Sequence, residues 1–113
     1  MADCLFCKIA AKEIESDLVH ESEAVVAFRD INPAAPTHIL VIPKEHISSA
    51  ADLTEAQAPL LGEMFASIAS LAEEEGLSDG FRVVTNIGPE AGQSVDHLHF
   101  HLIGGRQMSW PPG

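Results

Sequence analysis

The segment HLHFHLI, residues 97–103, has the clearest pattern in this chain of 113 residues. Polar and apolar residues alternate strictly here, which predicts a β-strand over residues 97–103 with one polar and one apolar face. All three imidazoles should point to the same side of a sheet, with successive rings roughly 7 Å apart. The apolar side chains between them would face the core.

The strands predicted outward from this segment are short. Runs rich in apolar and β-branched residues, bounded by polar turns, predict four more strands. They lie at residues 17–20, 24–29, 38–42 and 81–86. The run HILVI at 38–42 is apolar after its first residue, which favours a central strand that is buried on both faces.

Two helices complete the predicted domain. Apolar spacing predicts a short helix over residues 4–15 and a long helix over residues 54–75. Thr54 is a suitable N-cap for the long helix, and Gly76 is placed to end it. The element order favours an α+β domain, in which an antiparallel sheet of about five strands carries the long helix on one face.

Composition narrows the classes of function. The length suits one domain over residues 1–113. The chain has 6 basic and 17 acidic residues, a net charge of -11, so it lacks the basic surface that a duplex nucleic acid partner requires. No run of eighteen apolar residues and no leader-like N-terminus is evident, so we expect a cytoplasmic protein without membrane contact.

A row of imidazoles suits chemistry at a phosphate. Near neutral pH one ring can be a neutral nucleophile while another is a charged acid, and histidine can attack phosphorus to form a covalent intermediate. The small-residue loop at 88–94 precedes the row and permits a close approach to a phosphate. Two other interpretations stay open at this point: a histidine-rich surface strand, and a metal site made by two neighbouring rings.

The two cysteines have the spacing of half a zinc site. Cys4-x-x-Cys7 needs two further ligands, and His46 and His97 are the candidates. With four protein ligands no position remains for water, so the zinc would be structural. The alternative is a metal-free or redox pair in a reducing compartment.

Three segments together resemble the histidine-triad family, in particular its Hint branch of purine nucleoside phosphoramidases. They are residues 28–48, residues 86–113, and the threefold His-apolar repeat at 97–102. The resemblance implies a hydrolase that cleaves the P–N bond of purine nucleoside phosphoramidates through a nucleotidyl-histidine. It also implies a homodimer and no cofactor for catalysis. Two alternatives are a dinucleoside polyphosphate hydrolase or nucleotidyltransferase, and a nucleotide-binding protein without activity.

The resemblance also implies catalytic roles, position by position. His99 matches the nucleophile, and His101 matches the family residue beside the scissile phosphate. His97 matches the first member of the triad, and His38 matches a fourth histidine behind the row. Ser94 matches a residue that assists the leaving group.

Nucleotide-binding roles follow from the same resemblance. Asp30 would accept hydrogen bonds from the ribose hydroxyls, with Ile31 beside it; a turn-forming role is the alternative for Asp30. The remaining positions match phosphate and ribose contacts at Asn86, Gly92 and Gln93, and an apolar purine slot at Phe6, Ile9, Ile14 and Phe28. The chain departs from the family at Asp96, a carboxylate that would either alter the rim of the pocket or raise the pKa of a nearby imidazole. It also departs at Glu15, where proline is common, which makes the base preference less certain to follow the family.

Overall fold

The computed structural model describes residues 4–113. Its five strands form one antiparallel sheet in the order β1-β2-β3-β5-β4. The strands are β1 (Leu18–Glu21), β2 (Val25–Arg29), β3 (Thr37–Pro43), β4 (Phe81–Val84) and β5 (Phe100–Gly104). The helices are α1 (Leu5–Ala10) and α2 (Ala58–Glu74). The predicted α+β class is confirmed, and β3 is central and buried along its whole length.

The two faces of the sheet carry different helices. Side chains alternate along β2 and β3, so each strand contributes to two separate apolar clusters. The larger cluster lies under α2 and includes Met64, Ile68 and Leu71. The smaller cluster lies on the opposite face and joins Phe6 and Ile9 of α1 to β2 and β3. Within residues 4–113, neither helix combines the length and the apolar character that crossing a bilayer requires.

Thr54 and Gly76 bound the long helical segment as predicted, but the α-helix itself begins at Ala58 rather than at residue 54. Thr54 caps a 3-10 turn at Glu55–Gln57, and α2 follows directly from it. The Thr54 N–H donates to the Gln57 side-chain oxygen at 2.7 Å, and the Thr54 hydroxyl accepts from Ala56. Gly76 has a φ of 73°, the left-handed conformation that commonly ends a helix.

The short helix is shorter than predicted. It covers Leu5–Ala10 rather than 4–15, because Lys12 adopts a left-handed φ of 63°. The Glu13 N–H donates back to the Lys8 carbonyl at 2.8 Å, which closes the turn. The strands also shift at their ends: β4, for example, stops at Val84 rather than at residue 86.

The prediction of a strand over residues 97–103 is wrong at its start, because β5 begins at Phe100. Backbone groups just before it bond elsewhere. The Leu98 N–H donates to the Ile47 carbonyl at 2.6 Å, and the Thr85 hydroxyl donates to the His99 carbonyl at 2.8 Å. Two of the three histidines therefore precede the ladder, His97 at a bend and His99 in irregular backbone, so their rings need not follow strand geometry.

Candidate active site

A cleft of about 370 Å³ opens on the face of the sheet that carries α1. Its walls combine apolar side chains, histidines and carboxylates. The predicted site residues that line it are Phe6, Ile9, Ile14, Phe28, Asp30, Ile31, Ser94, His99 and His101. Leu40, which also lines the cleft, was not predicted as a site residue, although its place on β3 beside the buried Ile39 puts it on this face.

The alternation predicted for the histidine row is confirmed, but its spacing is not. Leu98, Phe100 and Leu102 belong to the cluster under α2. His99 and His101 line the cleft, and their ring centroids lie 5.0 Å apart, closer than the strand repeat predicts. The cleft does not include the ring of His97, which is directed to the two cysteines instead.

The hydrogen bonds of His99 define its protonation. Its Nδ1 lies 2.7 Å from the carbonyl oxygen of His97, an acceptor only, so Nδ1 carries the proton. In the neutral ring Nε2 then holds a lone pair. His99 is 5% exposed, so this lone pair belongs to a largely desolvated ring on the cleft wall.

The hydrogen bonds of His38 and His101 place the proton on Nε2 of both neutral rings, whereas His99 carries it on Nδ1. The Ala34 N–H donates to His38 Nδ1 at 2.9 Å, so the proton of neutral His38 lies on Nε2. That Nε2–H donates to His101 Nδ1 at 2.9 Å, which leaves the proton of His101 on its own Nε2. Among the residues described, His101 Nε2 is the buried side-chain polar atom without a hydrogen-bond partner. It is a donor that lacks an acceptor.

Burial sets the charge of His101. Burial, followed by the neighbouring His99 and His38, lowers the pKa of His101 to about 4, while Asp30 opposes the shift. At neutral pH the ring is therefore uncharged, in agreement with the tautomer that its hydrogen bond requires. With His99 in its neutral form, the cleft presents one nitrogen lone pair and one N–H donor on adjacent rings.

The low pKa of His101 predicts a pH dependence of stability. An unfolded histidine titrates near 6.5, so between about pH 4 and 6.5 the unfolded chain binds more protons than the folded one. The free energy of unfolding should rise with pH across this window. His101→Asn should reduce that rise when urea denaturation is compared at about pH 4.5 and about pH 6.5. An identical rise in both proteins would contradict the assignment.

Asp30 has local partners as well as a place in the cleft. One carboxylate oxygen accepts from the Asn32 N–H at 2.8 Å, which is the turn-forming role. The other oxygen lies 3.4 Å from His38 Nε2. Arg29 also lines the cleft, but its guanidinium is engaged by both oxygens of Glu75, each at 2.9 Å.

Three predicted nucleotide-binding residues lie outside the cleft lining. The Gln93 side chain accepts from the Gly88 N–H at 2.9 Å and donates to the Ser48 and Val95 carbonyls, so it braces the loop. Gly92 has a φ of 88°, which favours glycine. Asn86 is half-buried after β4. The nucleotide-binding roles of Asn86, Gly92 and Gln93 stay predictions.

The four predicted metal ligands are brought together. The ligand atoms of Cys4, Cys7, His46 and His97 all lie within 4.8 Å of one another. Cys4 Sγ lies 3.3 Å from His97 Nδ1, and Cys7 Sγ lies 3.3 Å from His46 Nδ1. Tetrahedral zinc, with bonds of about 2.3 Å to sulfur and 2.0 Å to nitrogen, holds such atoms roughly 3.5 Å apart. The donor set and its spacing therefore fit zinc.

The protonation of the cysteine and histidine cluster also suits a bound zinc ion. His97 Nε2 donates to the Pro43 carbonyl at 2.8 Å, so its Nδ1 holds a lone pair toward the cysteines. Burial and the neighbouring Cys4 raise the pKa of the Cys7 thiol to about 11, a penalty that a bound cation would reverse. Burial lowers the pKa of His97, and Asp96 is exposed, so the expected effect of Asp96 in raising a nearby pKa is wrong for this ring.

A second group of potential ligands does not suit a metal. Asp30, His38 and His101 also bring ligand atoms within 4.8 Å of one another. However, the Ala34 N–H occupies His38 Nδ1, so the nitrogen that faces the group carries a proton rather than a lone pair. This group is a hydrogen-bond relay.

Comparison with known proteins agrees with this geometry. The profile described as "Scavenger mRNA decapping enzyme C-term binding" matches residues 3–110. A crystal structure of a HIT family hydrolase from Legionella pneumophila superposes with a TM-score of 0.97 at 49% identity, covering 98% of this chain and 100% of that chain. The chain belongs to the histidine-triad (HIT) family. The resemblance noted from the sequence is thereby confirmed.

Two further relatives have names that refer to zinc binding or to an enzymatic activity. The 14 kDa zinc-binding protein of Zea mays is 53% identical over 96% of this chain and 87% of its own length. Adenylylsulfatase HINT1 of Arabidopsis thaliana is 49% identical over 96% of this chain and 76% of its own length. This HIT protein is therefore similar both to a relative named for zinc and to one named for the hydrolysis of an adenylyl compound.

Proposed function

We propose that this HIT protein is a nucleotide hydrolase that cleaves the P–N bond of purine nucleoside phosphoramidates through a covalent nucleotidyl-histidine. The observation that carries the proposal is the pairing of His99 Nε2, a lone pair, with His101 Nε2–H, a donor without an acceptor, in one cleft. The similarity to a HIT family hydrolase and to a protein named adenylylsulfatase supports hydrolysis at an adenylyl phosphorus.

In the first step the His99 Nε2 lone pair attacks phosphorus, and an N–P bond forms to the ring. The bond from phosphorus to the substrate amine breaks, and its electron pair leaves with the nitrogen. That amine takes a proton from a water molecule, relayed through the hydroxyl of Ser94, which also lines the cleft. The neutral His101 ring donates a hydrogen bond from Nε2 to a phosphoryl oxygen and keeps its proton, because losing it would leave an imidazolate. The Nδ1–H bond of His99 to the His97 carbonyl stabilises the charge that the ring gains.

In the second step water attacks phosphorus and the bond to His99 breaks. The nucleoside monophosphate leaves with the oxygen of the water, and the His99 ring recovers its lone pair. The attacking water loses one proton, which returns through the Ser94 hydroxyl to the hydroxide left by the first step, so every group regains its starting state. The two reaction steps together involve no oxidation or reduction and no second nucleotide.

The cleft walls suit the rest of a purine nucleotide. Phe6, Ile9 and Phe28 belong to one apolar cluster and line the cleft, and Ile14 joins them there. Apolar and aromatic surfaces of this kind bind a flat base by contact area rather than by hydrogen bonds. Asp30 supplies a carboxylate for the ribose hydroxyls.

A comparison of leaving groups tests the proposal. Adenosine 5′-phosphoramidate, adenylyl sulfate and a diadenosine polyphosphate should be incubated with the full chain, and AMP release measured. We expect the highest kcat/KM for the phosphoramidate, with AMP and ammonia in equal amounts. Preference for adenylyl sulfate would favour the activity named for the Arabidopsis relative, and preference for the polyphosphate would favour the alternative enzyme class. Binding of AMP without turnover would leave a nucleotide-binding protein.

A substitution at Asp30 should separate its two roles. Asp30→Asn keeps an oxygen for the Asn32 N–H but loses the charge that would accept from ribose. Its Kd for AMP should rise about tenfold, since hydrogen bonds to a charged group are the stronger ones. Its Kd for 2′,3′-dideoxy-AMP should not change. Asp17→Asn, at another carboxylate of the cleft, is the matched control. An equal loss for both nucleotides would assign Asp30 to the turn alone.

We also propose that the cysteine and histidine cluster holds a structural zinc ion, in keeping with the Zea mays relative named for zinc binding. The ligands would be Cys4, Cys7, His46 and His97. Zinc bound there would add cross-links between α1 and two distant segments and leave the chemistry to the imidazoles. The two free thiols are consistent with a reducing, cytoplasmic compartment.

The assembly we propose is a homodimer of a single domain over residues 1–113, without nucleic acid or membrane partners. β4 is an edge strand, and its Phe81 is 43% exposed; Phe65 on α2 is 45% exposed. Exposed aromatic side chains beside an open strand edge are typical of a surface that pairs with another chain. Sedimentation equilibrium that gives the mass of one chain would reject the dimer.

A further inference from the structure

The metal cluster and the catalytic histidine share one residue. The His97 ring belongs to the cluster through Nδ1, while its main-chain carbonyl accepts the His99 Nδ1–H at 2.7 Å. His97 is fully buried, and its other ring nitrogen is fixed on the Pro43 carbonyl. A ligand that fixes this ring therefore also restrains the residue whose carbonyl selects the tautomer of His99.

The peptide unit that carries this carbonyl is held at both ends. Its carbonyl accepts from His99, and its N–H, that of Leu98, donates to the Ile47 carbonyl at 2.6 Å. Ile47 directly follows His46, the other histidine of the cluster. The two histidine ligands thus adjoin the two ends of one hydrogen bond, and fixing both rings fixes the peptide between them.

A second connection runs through Phe6, which lies between the two cysteines in the sequence. Its ring packs edge-on against His97 and His99, with centroid distances of 6.0 Å and 5.1 Å. Phe6 is 5% exposed and lines the cleft. The helix that carries it has only six residues, too few to be stable alone, so its position depends on its attachments.

We propose that the cluster of Cys4, Cys7, His46 and His97 acts as a positioning element for His99, through the His97 carbonyl and the Phe6 ring. Zinc in the cluster holds His99 in its Nδ1–H form with Nε2 directed to the cleft. His97 and Phe6 are then positioning residues rather than catalytic ones. The proposal rests on the proposed function for the role of His99, but its geometric content does not depend on turnover.

The tautomer of His99 can be measured directly in the full chain. Histidine labelled with ¹⁵N gives long-range ¹H–¹⁵N correlations that distinguish Nδ1–H from Nε2–H, and His99→Ala assigns the signals. With Zn²⁺ bound we expect one Nδ1–H form for His99. After chelation we expect both tautomers, with exchange of the ring proton faster by at least about fivefold, as for coupled sites generally.

Two variants with Zn²⁺ bound keep the test decisive if the metal-free chain unfolds. Phe6→Leu removes the ring that contacts His99 and should speed the same exchange by at least about fivefold. Lys8→Ala, on the same helix but outside the apolar cluster and the cleft lining, is the control and should not change the exchange. An unchanged His99 spectrum would overturn the proposal if it were found in a zinc-free chain that stays folded. The same spectrum in the Phe6→Leu variant with Zn²⁺ bound would also overturn it. Absence of turnover in the wild type would reject the proposed function and leave this result standing.

Discussion

Replacement of His99 by alanine should lower kcat for adenosine 5′-phosphoramidate by roughly 10⁴-fold or more, the scale seen when a nucleophile is removed. The Kd for AMP should stay within about threefold, because the contacts proposed for the base and the ribose come from the apolar slot and Asp30 rather than from His99. The physical reason is the lone pair on His99 Nε2, which the bond from Nδ1–H to the His97 carbonyl secures. His101 cannot replace it, since its free nitrogen carries a proton.

The covalent intermediate gives an independent measurement. Wild-type enzyme quenched in alkali during turnover should show a mass increase of one adenylyl group, and His99→Ala should show none. His20→Ala is the matched control, because His20 lies on β1 and contacts Ser67 of α2. Turnover by His99→Ala within about tenfold of the wild type would remove His99 as the nucleophile.

Removal of zinc should lower the melting temperature by at least about 10 °C, because zinc binding of several kcal/mol contributes directly to folding in sites with four protein ligands. The cluster joins residues that are distant in the sequence, the short α1 segment with His46 and His97. Thermal unfolding with and without a chelator measures the change in melting temperature, and elemental analysis measures the zinc content. We expect one zinc per chain.

The variant with Cys4→Ser and Cys7→Ser provides the control. It should melt at the lower temperature whether or not chelator is present, since it has lost two of four ligands. Substitution at Ser49, a residue outside the cluster that caps a nearby 3-10 turn, should leave the response to chelator intact. A purified wild type that holds no metal and does not respond to added Zn²⁺ would exclude the structural ion.

The periodicity of apolar residues predicted which side chains face each side of the sheet, but it did not predict where strand β5 begins. The run at 38–42 gave the central strand, and the alternation in 97–103 placed three apolar side chains under α2. The sequence pattern carries no information on which backbone partner each amide finds. The Leu98 N–H bonds to Ile47, 51 positions away by their numbers, so the strand begins later than the alternation suggests.

The sequence was enough to predict which residues form the site, but it could not predict which nitrogen of each histidine carries the proton. The family resemblance named His38, His99 and His101. Their tautomers follow from single contacts, such as the Ala34 N–H on His38 Nδ1, which no spacing rule anticipates. Gln93 illustrates the same limit: its position matches the family, but its side chain is committed to bracing the loop.

The charge on the cleft walls has a consequence for how a nucleotide is captured. Glu15, Asp17 and Asp30 line the cleft, and its one guanidinium is already occupied by Glu75. With a net charge of -11, the protein repels an approaching anion at long range. Attraction therefore begins only on contact, through the base and the imidazoles, and each extra phosphate on a ligand adds to the opposing field.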